Sequence, residues 1–288
     1  HAIIKAGVKL KGTLILAGYM KECVGDVGSR YMADHGPIPD MCVIGEPTDC
    51  KILTTHVGMM DFTITTRGVS AHISQVYAKK PGFFRGVNAF DKMMKVIKEL
   101  KDVRKTFTYK RHPTLGDPLM IVGKVVTESM STTGLRPAEA PHICKADFDI
   151  RYLPGMTVES IVKDIERVFL NLWVEDPDFE AAIEVWQPRS SNYLPVEVPR
   201  DSRVVQIVAN AHREVFKEEV TFADEEAPYK YYCTDACVWN GILKIPAINY
   251  GPSGAEGAVS PDERVSISQL VAAAKVYALT ALEACGVG

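Results

Sequence analysis

Residues 13–28 read TLILAGYMKECVGDVG. The first six, TLILAG, form a continuous apolar, β-prone run, which predicts a fully buried strand. A lysine, a carboxylate, a thiol and glycines follow it in a tight bend. In α/β proteins the crevice beyond the C-terminal ends of buried strands is where ligands bind. Glu22 and Cys23 are therefore candidates for chemistry.

Working outward, residues 27–35 read as a short helix that Gly36-Pro37 ends. Residues 41–45 (MCVIG) read as a second buried strand running into Glu46-Pro47-Thr48. Two strands with a helix between them predict a parallel βαβ unit. The pattern changes near residue 58: 59–66 is a strand, 67–86 a polar connection, 88–103 a helix, 119–126 a strand. The run at 143–152 (ICKADFDIRY) alternates apolar and charged residues, as a half-exposed antiparallel strand does. Residues 157–173 predict an amphipathic helix with Thr157 as N-cap; Ser160 stands where a full capping box wants Glu or Gln. A strand at 179–186 completes a β-α-β-β-α-β order, the split βαβ or ferredoxin-like arrangement. The α/β pattern then returns, with helices at 202–216, from 234 and at 268–284, and a short strand at 247–250. The expected organisation is one α/β domain, residues 1–57 and 190–288, interrupted by an inserted α+β domain, residues 58–189.

The bulk properties narrow the classes. A chain of 288 residues, 47% hydrophobic and 24% charged, has the make-up of an ordinary globular protein. A net charge of −3 without a basic run disfavours a nucleic-acid partner. No stretch approaches the roughly 20 apolar residues of a membrane span, and no signal-peptide pattern opens the sequence. Seven scattered cysteines read as thiols in a reducing, cytoplasmic compartment. The opening HAIIKAGV reads as the last turns of a helix, which suggests a processed chain, a fragment or one piece of a split protein.

Several residues fit two roles. Glu22 and Glu46 both follow buried strands, as paired carboxylates for metal ligation or acid–base work, or as solvated loop residues. His72 in GVSAH is a catalytic candidate or a surface histidine. Arg151, at a strand end before Leu153-Pro154-Gly155, could clamp a carboxylate or stand as an exposed cation. Thr234-Asp235-Ala236 reads as a helix start. The loop from Gly251 to Gly254 reads as an anion site or a turn. GxSxG is absent, which removes the nucleophile-elbow hydrolases.

The stretches GVKLKGTLILAG (7–18), VIGEPT (43–48), RGVSAH (67–72), GVNA (86–89), DIRYLPG (149–155), TDA (234–236) and GPSGAEGAVSPDE (251–263) resemble, in order and spacing, the M20 family of metallopeptidases and deacylases. The resemblance implies an α/β, zinc-peptidase-like catalytic domain with an inserted ferredoxin-like (βαββαβ) lid and dimerisation domain. It implies amide cleavage on a small carboxylate-bearing substrate, zinc or another divalent metal, and a homo- or hetero-oligomer formed through the insert. Glu22 matches the general base, Glu46 a metal ligand, His72 a histidine that acts across the dimer, and Arg151 a holder of the substrate carboxylate.

The departures matter as much. Cys23 stands where a second Glu ligates metal; it is either a thiolate ligand or a thiol filling that space. Val259, which has no lone pair to give, stands at the final His ligand; Ala138 replaces an expected Asn, and Cys233 a small residue. The family's first His ligand and bridging Asp would lie upstream of His1. Two further readings follow: a non-catalytic or metal-independent subunit, and a two-chain assembly in which another polypeptide supplies the upstream segment.

Overall fold

The computed structural model describes all residues except 23–24, 77–84, 131–137, 187–191 and 255–259. In chain order the main elements are α1 (Val27–His35), β1 (Cys42–Ile44), β2 (Gly58–Arg67), α2 (Ala89–Lys101), β3 (Leu119–Glu128), β4 (Ile143–Tyr152), α3 (Val158–Glu175), β5 (Glu180–Val185), α4 (Arg203–Phe216), β6 (Ala247–Asn249) and α5 (Ile267–Cys285). The chain divides into two compact units. One is His1–Gly58, His112–Gly116 and Tyr193–Gly288; the other is Met59–Arg111 and Asp117–Asn192.

The second unit is built on period-two sequence. Alternation along β2 buries Met60, Phe62, Ile64 and Thr66; along β4 it buries Cys144, Ala146, Phe148, Ile150 and Tyr152. The Phe62 and Phe148 rings stack at 5.0 Å. The strands lie in the order β3-β4-β2-β5, with α2 and α3 between them in sequence and packed on each other and on the sheet. Asn88 starts α2 by accepting hydrogen bonds from the N–H groups of Phe90 (2.9 Å) and Asp91 (3.4 Å).

Three details of this unit differ from the sequence expectation. Helical spacing puts Phe90 and Met94 among the apolar residues of α2, yet both are exposed, while Lys92 is buried. Lys92 is tolerated there because its ammonium meets Asp176, just past the end of α3, at 2.6 Å. At the start of α3 the Ser160 hydroxyl does what a Glu would. It accepts the Thr157 N–H at 3.0 Å while Thr157 Oγ1 accepts the Ser160 N–H at 3.1 Å, so the capping box is complete.

The first unit corrects the reading of TLILAG. Residues 13–18 form no strand, and their backbone joins no ladder among the described residues. Leu14 is 55% and Leu16 97% exposed. An apolar run becomes a strand only where a neighbour supplies hydrogen-bond partners. Here β1 finds its parallel partner in β6, with Cys42 opposite Ala247 and Ile44 opposite Asn249. Helices α4 and α5 pack together, and Tyr250, fully buried after β6, has its hydroxyl 2.8 Å from His212 Nδ1 of α4. The helix expected from residue 234 is a π-helical stretch, Cys237–Ile242, behind a turn in which Thr234 Oγ1 accepts the Ala236 N–H at 3.1 Å. Such stretches recur at functional sites. No helix among the described residues is long and apolar enough to cross a membrane.

Candidate active site

Strand β1 delivers Glu46 into a loop that the Gly251 backbone buttresses. The Gly251 N–H donates to Thr48 Oγ1 at 3.1 Å, and the Cys50 N–H donates to the Gly251 carbonyl at 2.8 Å. A Cβ on Gly251 would lie 2.4 Å from the Glu46 carbonyl oxygen, so only glycine permits this approach. Of the two roles open to the glycine loop in sequence, anion site or turn, the described residues give it this structural one.

Glu22 sits in a one-turn bend whose backbone is left-handed at Lys21 (φ 57°), Gly25 (φ 90°) and Asp26 (φ 54°). Its carbonyl accepts the Asp26 N–H at 3.3 Å and the Tyr193 hydroxyl at 3.2 Å. The same hydroxyl accepts the Gly25 N–H at 2.9 Å, and Arg30 Nε donates to the Gly25 carbonyl at 3.2 Å.

Behind this bend lie two carboxylates that the sequence reading did not single out as site residues. Asp26 is fully buried; its Oδ2 accepts the Cys237 thiol at 3.0 Å, while Oδ1 has no hydrogen-bond partner among the described residues. Asp235 is buried and accepts a short hydrogen bond from Ser29 Oγ. Beside it, Thr234 Oγ1 and His56 Nε2 lie 3.2 Å apart.

Burial, reinforced by the charges of Glu22, Asp235 and Asp26, pushes the Glu46 carboxyl up to about 8. Burial also raises Asp26 to about 7, with Asp235 and Glu22 adding to it and the Cys237 hydrogen bond and Arg30 opposing it. Asp235 is raised by burial as well. Carboxyls shifted together this way are a mark of functional sites. Asp235 was legible only as part of TDA, and Asp26 only as an acid two residues before Gly28.

The metal that the resemblance implies can be tested against these groups. Among the described residues, no three His, Cys, Asp or Glu side chains form a group able to hold a metal ion. Cys23 and Val259, the altered ligand positions, lie outside the described residues. The described residues do not fit a zinc centre.

His72 and Arg151 belong to the second unit. His72 is exposed, in a two-residue strand pairing with Glu139, and its Nδ1 lies 3.0 Å from Ser74 Oγ. Ala138 accepts the Ile73 N–H at 2.8 Å. Arg151 turns its Nε and Nη2 edge onto the two carboxylate oxygens of Asp149, each at 2.8 Å. This fork is the geometry that binds carboxylates, and in the structure a resident carboxylate occupies it. Burial, with Asp149 adding to it and Arg151 opposing it, raises the neighbouring Asp61 to about 6.

The sequence pattern described as "Peptidase family M20/M25/M40" matches residues 1–283. An N-formyl-4-amino-5-aminomethyl-2-methylpyrimidine deformylase of Halalkalibacterium halodurans is 24% identical over 96% of this chain and 65% of its own length. An acetylornithine deacetylase of Edwardsiella ictaluri is 27% identical over 91% of this chain and 62% of its own. The chain thus spans somewhat under two thirds of the length of these curated relatives. Among solved structures, the aminopeptidase PepT of Bacillus cereus superposes with a TM-score of 0.72 at 15% identity, covering 99% of this chain and 67% of that one. The fold and the match across nearly the whole sequence agree: this chain belongs to the M20/M25/M40 peptidase family.

Proposed function

We propose that the protein is an M20-type amidohydrolase that cleaves an amide of a small carboxylate-bearing substrate, with Glu22 as its general base. The observation that carries this reading is the acidic cluster. Glu22 and Asp26 in the bend before α1, Glu46 past the end of β1 and Asp235 in the turn before Cys237–Ile242 act on one another electrostatically. Glu22 takes a proton from the attacking water and returns it to the leaving amine. Arg151 holds the substrate carboxylate by exchanging it for Asp149. His72 polarises the scissile carbonyl from a second subunit.

In this reading the second unit is a ferredoxin-like lid and dimerisation domain. Its strand order supports that, as does the edge strand β3, whose Leu119, Ile121, Val125 and Val126 side chains are exposed. Cys42, Cys50, Cys144, Cys237 and Cys285 are free thiols, which supports a reducing, cytoplasmic setting.

The absence of a three-ligand group among the described residues favours a second reading. Here the crevice is a non-catalytic or metal-independent descendant, or a metal site completed by another segment. One experiment separates the two. Hydrolysis of a panel of N-acyl amino acids is followed with the protein and with Glu22→Gln, alongside metal content per chain. The first reading expects turnover that falls at least about 100-fold in the variant. An unchanged rate removes Glu22 as base, and no turnover with no bound metal favours the second reading.

A further inference from the structure

The bend that carries Glu22 is held open against its own backbone preference. Lys21 and Asp26 both have left-handed φ, 57° and 54°, in a region that L-residues other than glycine seldom adopt. Such a backbone persists only where its surroundings over-determine it. Two of the restraints on it are local: Asp26 N–H on the Glu22 carbonyl, and Arg30 on the Gly25 carbonyl. One comes from far along the chain. The Tyr193 hydroxyl accepts from Gly25 N–H at 2.9 Å and donates to the Glu22 carbonyl at 3.2 Å, across 171 residues of sequence from Glu22. A single oxygen thereby fixes both ends of the turn that projects the carboxylate.

We infer that Tyr193 is a positioning residue for Glu22: its hydroxyl bridges Gly25 N–H and Glu22 C=O and locks the base-bearing bend in its working geometry. This rests on the role proposed for Glu22 above. Three features support it. Tyr193 is almost fully buried, so water does not compete for the bridge. Burial, with the charges of Asp26 and Glu22 adding to it, raises its phenol far above the ordinary value, so the hydroxyl keeps its proton as a donor. Its hydroxyl meets backbone on both sides here, so the bridge fixes chain position whatever side chains occupy residues 23 and 24.

The test is Tyr193→Phe, which keeps the buried ring and removes the bridging hydroxyl, with Tyr109→Phe as a control. Tyr109 donates its hydroxyl to Asp117 at 2.9 Å in the second unit. Two readouts are taken. Steady-state kinetics on the best N-acyl amino acid should give a kcat lowered about 10- to 100-fold with KM changed less than about twofold. The control should leave kcat within about twofold, although it too loses a buried-side hydrogen bond. Hydrogen exchange on the intact protein should show protection of the Gly25 amide reduced about tenfold or more in Tyr193→Phe.

A merely structural tyrosine would lower the melting temperature by about 2–4 °C and leave the kcat-to-KM split untouched. Unchanged kcat, or unchanged Gly25 protection, overturns the inference. If the protein itself turns over nothing, the amidohydrolase reading falls and the exchange result alone decides whether Tyr193 clamps the bend.

Discussion

Asp26→Asn should reverse the sign of its effect on stability between acidic and alkaline pH. In the folded chain the Asp26 carboxyl is fully buried and ionises near pH 7, against 3.8 in an unfolded chain, chiefly because burial disfavours the charge. The native state therefore holds a proton that the unfolded state has released everywhere between those values. Stability falls as pH rises through the window, and the penalty is complete above about pH 7. A displacement of roughly three pH units corresponds to about 4 kcal/mol.

Asparagine removes that penalty with little new strain. It tolerates the left-handed backbone at this position better than most residues, and its amide oxygen can still accept the Cys237 thiol. Its NH2 group would enter the place of Oδ1, which has no partner among the described residues, at a cost of about 1 kcal/mol. The expected result is a variant about 1 kcal/mol less stable than the parent near pH 4 and about 3 kcal/mol more stable at pH 8.5. Urea unfolding followed by far-ultraviolet circular dichroism across that range measures both limits. An offset of the same sign and size at every pH would refute the reasoning, because it would mean that Asp26 is not the buried acid that titrates.

Three further outcomes follow. Asp224→Ala should cost about 3 kcal/mol, read as a lower urea midpoint, since Asp224 accepts the buried N–H groups of Thr54 (2.6 Å) and Thr55 (3.2 Å) and the Thr54 hydroxyl (2.9 Å). Asp176→Asn should cost about 2 kcal/mol at pH 7 and less than about 0.5 kcal/mol at pH 2. Burial raises the Asp176 carboxyl, but the hydrogen bonds and charges of Lys92 and Lys95 outweigh that and bring it to about 2, so its contribution is complete above 3.8 and fades as pH falls through 2. Leu16→Ser should change stability by less than about 0.5 kcal/mol, because a side chain 97% exposed has little burial to lose.

The second unit was legible because its signals are local. The alternation in ICKADFDIRY, the Thr157 cap and the β-α-β-β-α-β order each depend on residues close in sequence, and each reappears in the structure. Lys92 was hidden because its acceptability depends on Asp176, 84 residues away. TLILAG carries the composition of a buried strand, yet among the described residues no strand pairs with it, and composition cannot tell those situations apart. At the candidate site, Glu22 and Glu46 were visible as acids after apolar runs. Asp26, Asp235 and Tyr193 were not, since their roles arise from contacts such as Ser29 with Asp235 and Gly25 with Tyr193 that join distant parts of the chain.

Asp176 and the acids around Glu22 are held in opposite ways, and the contrast separates holding a fold from holding a site. In the second unit Asp176 sits between two lysines, and that surplus of cations brings its carboxyl down to about 2. In the first unit the buried Asp26 and Asp235 and the half-buried Glu46 act on one another and feel Glu22, and all three are raised; Arg30 opposes the shift at Asp26 and Asp235 without overcoming it. A stability-driven arrangement would have matched those acids with cations or replaced them with apolar side chains. The cluster instead lowers stability at neutral pH by an amount that Asp26→Asn measures. Uncompensated burial of this kind belongs to a place that needs negative potential or a proton to move. Should the variant prove more stable at pH 8.5 and less active, the same acid that weakens the fold would be shown to serve the chemistry.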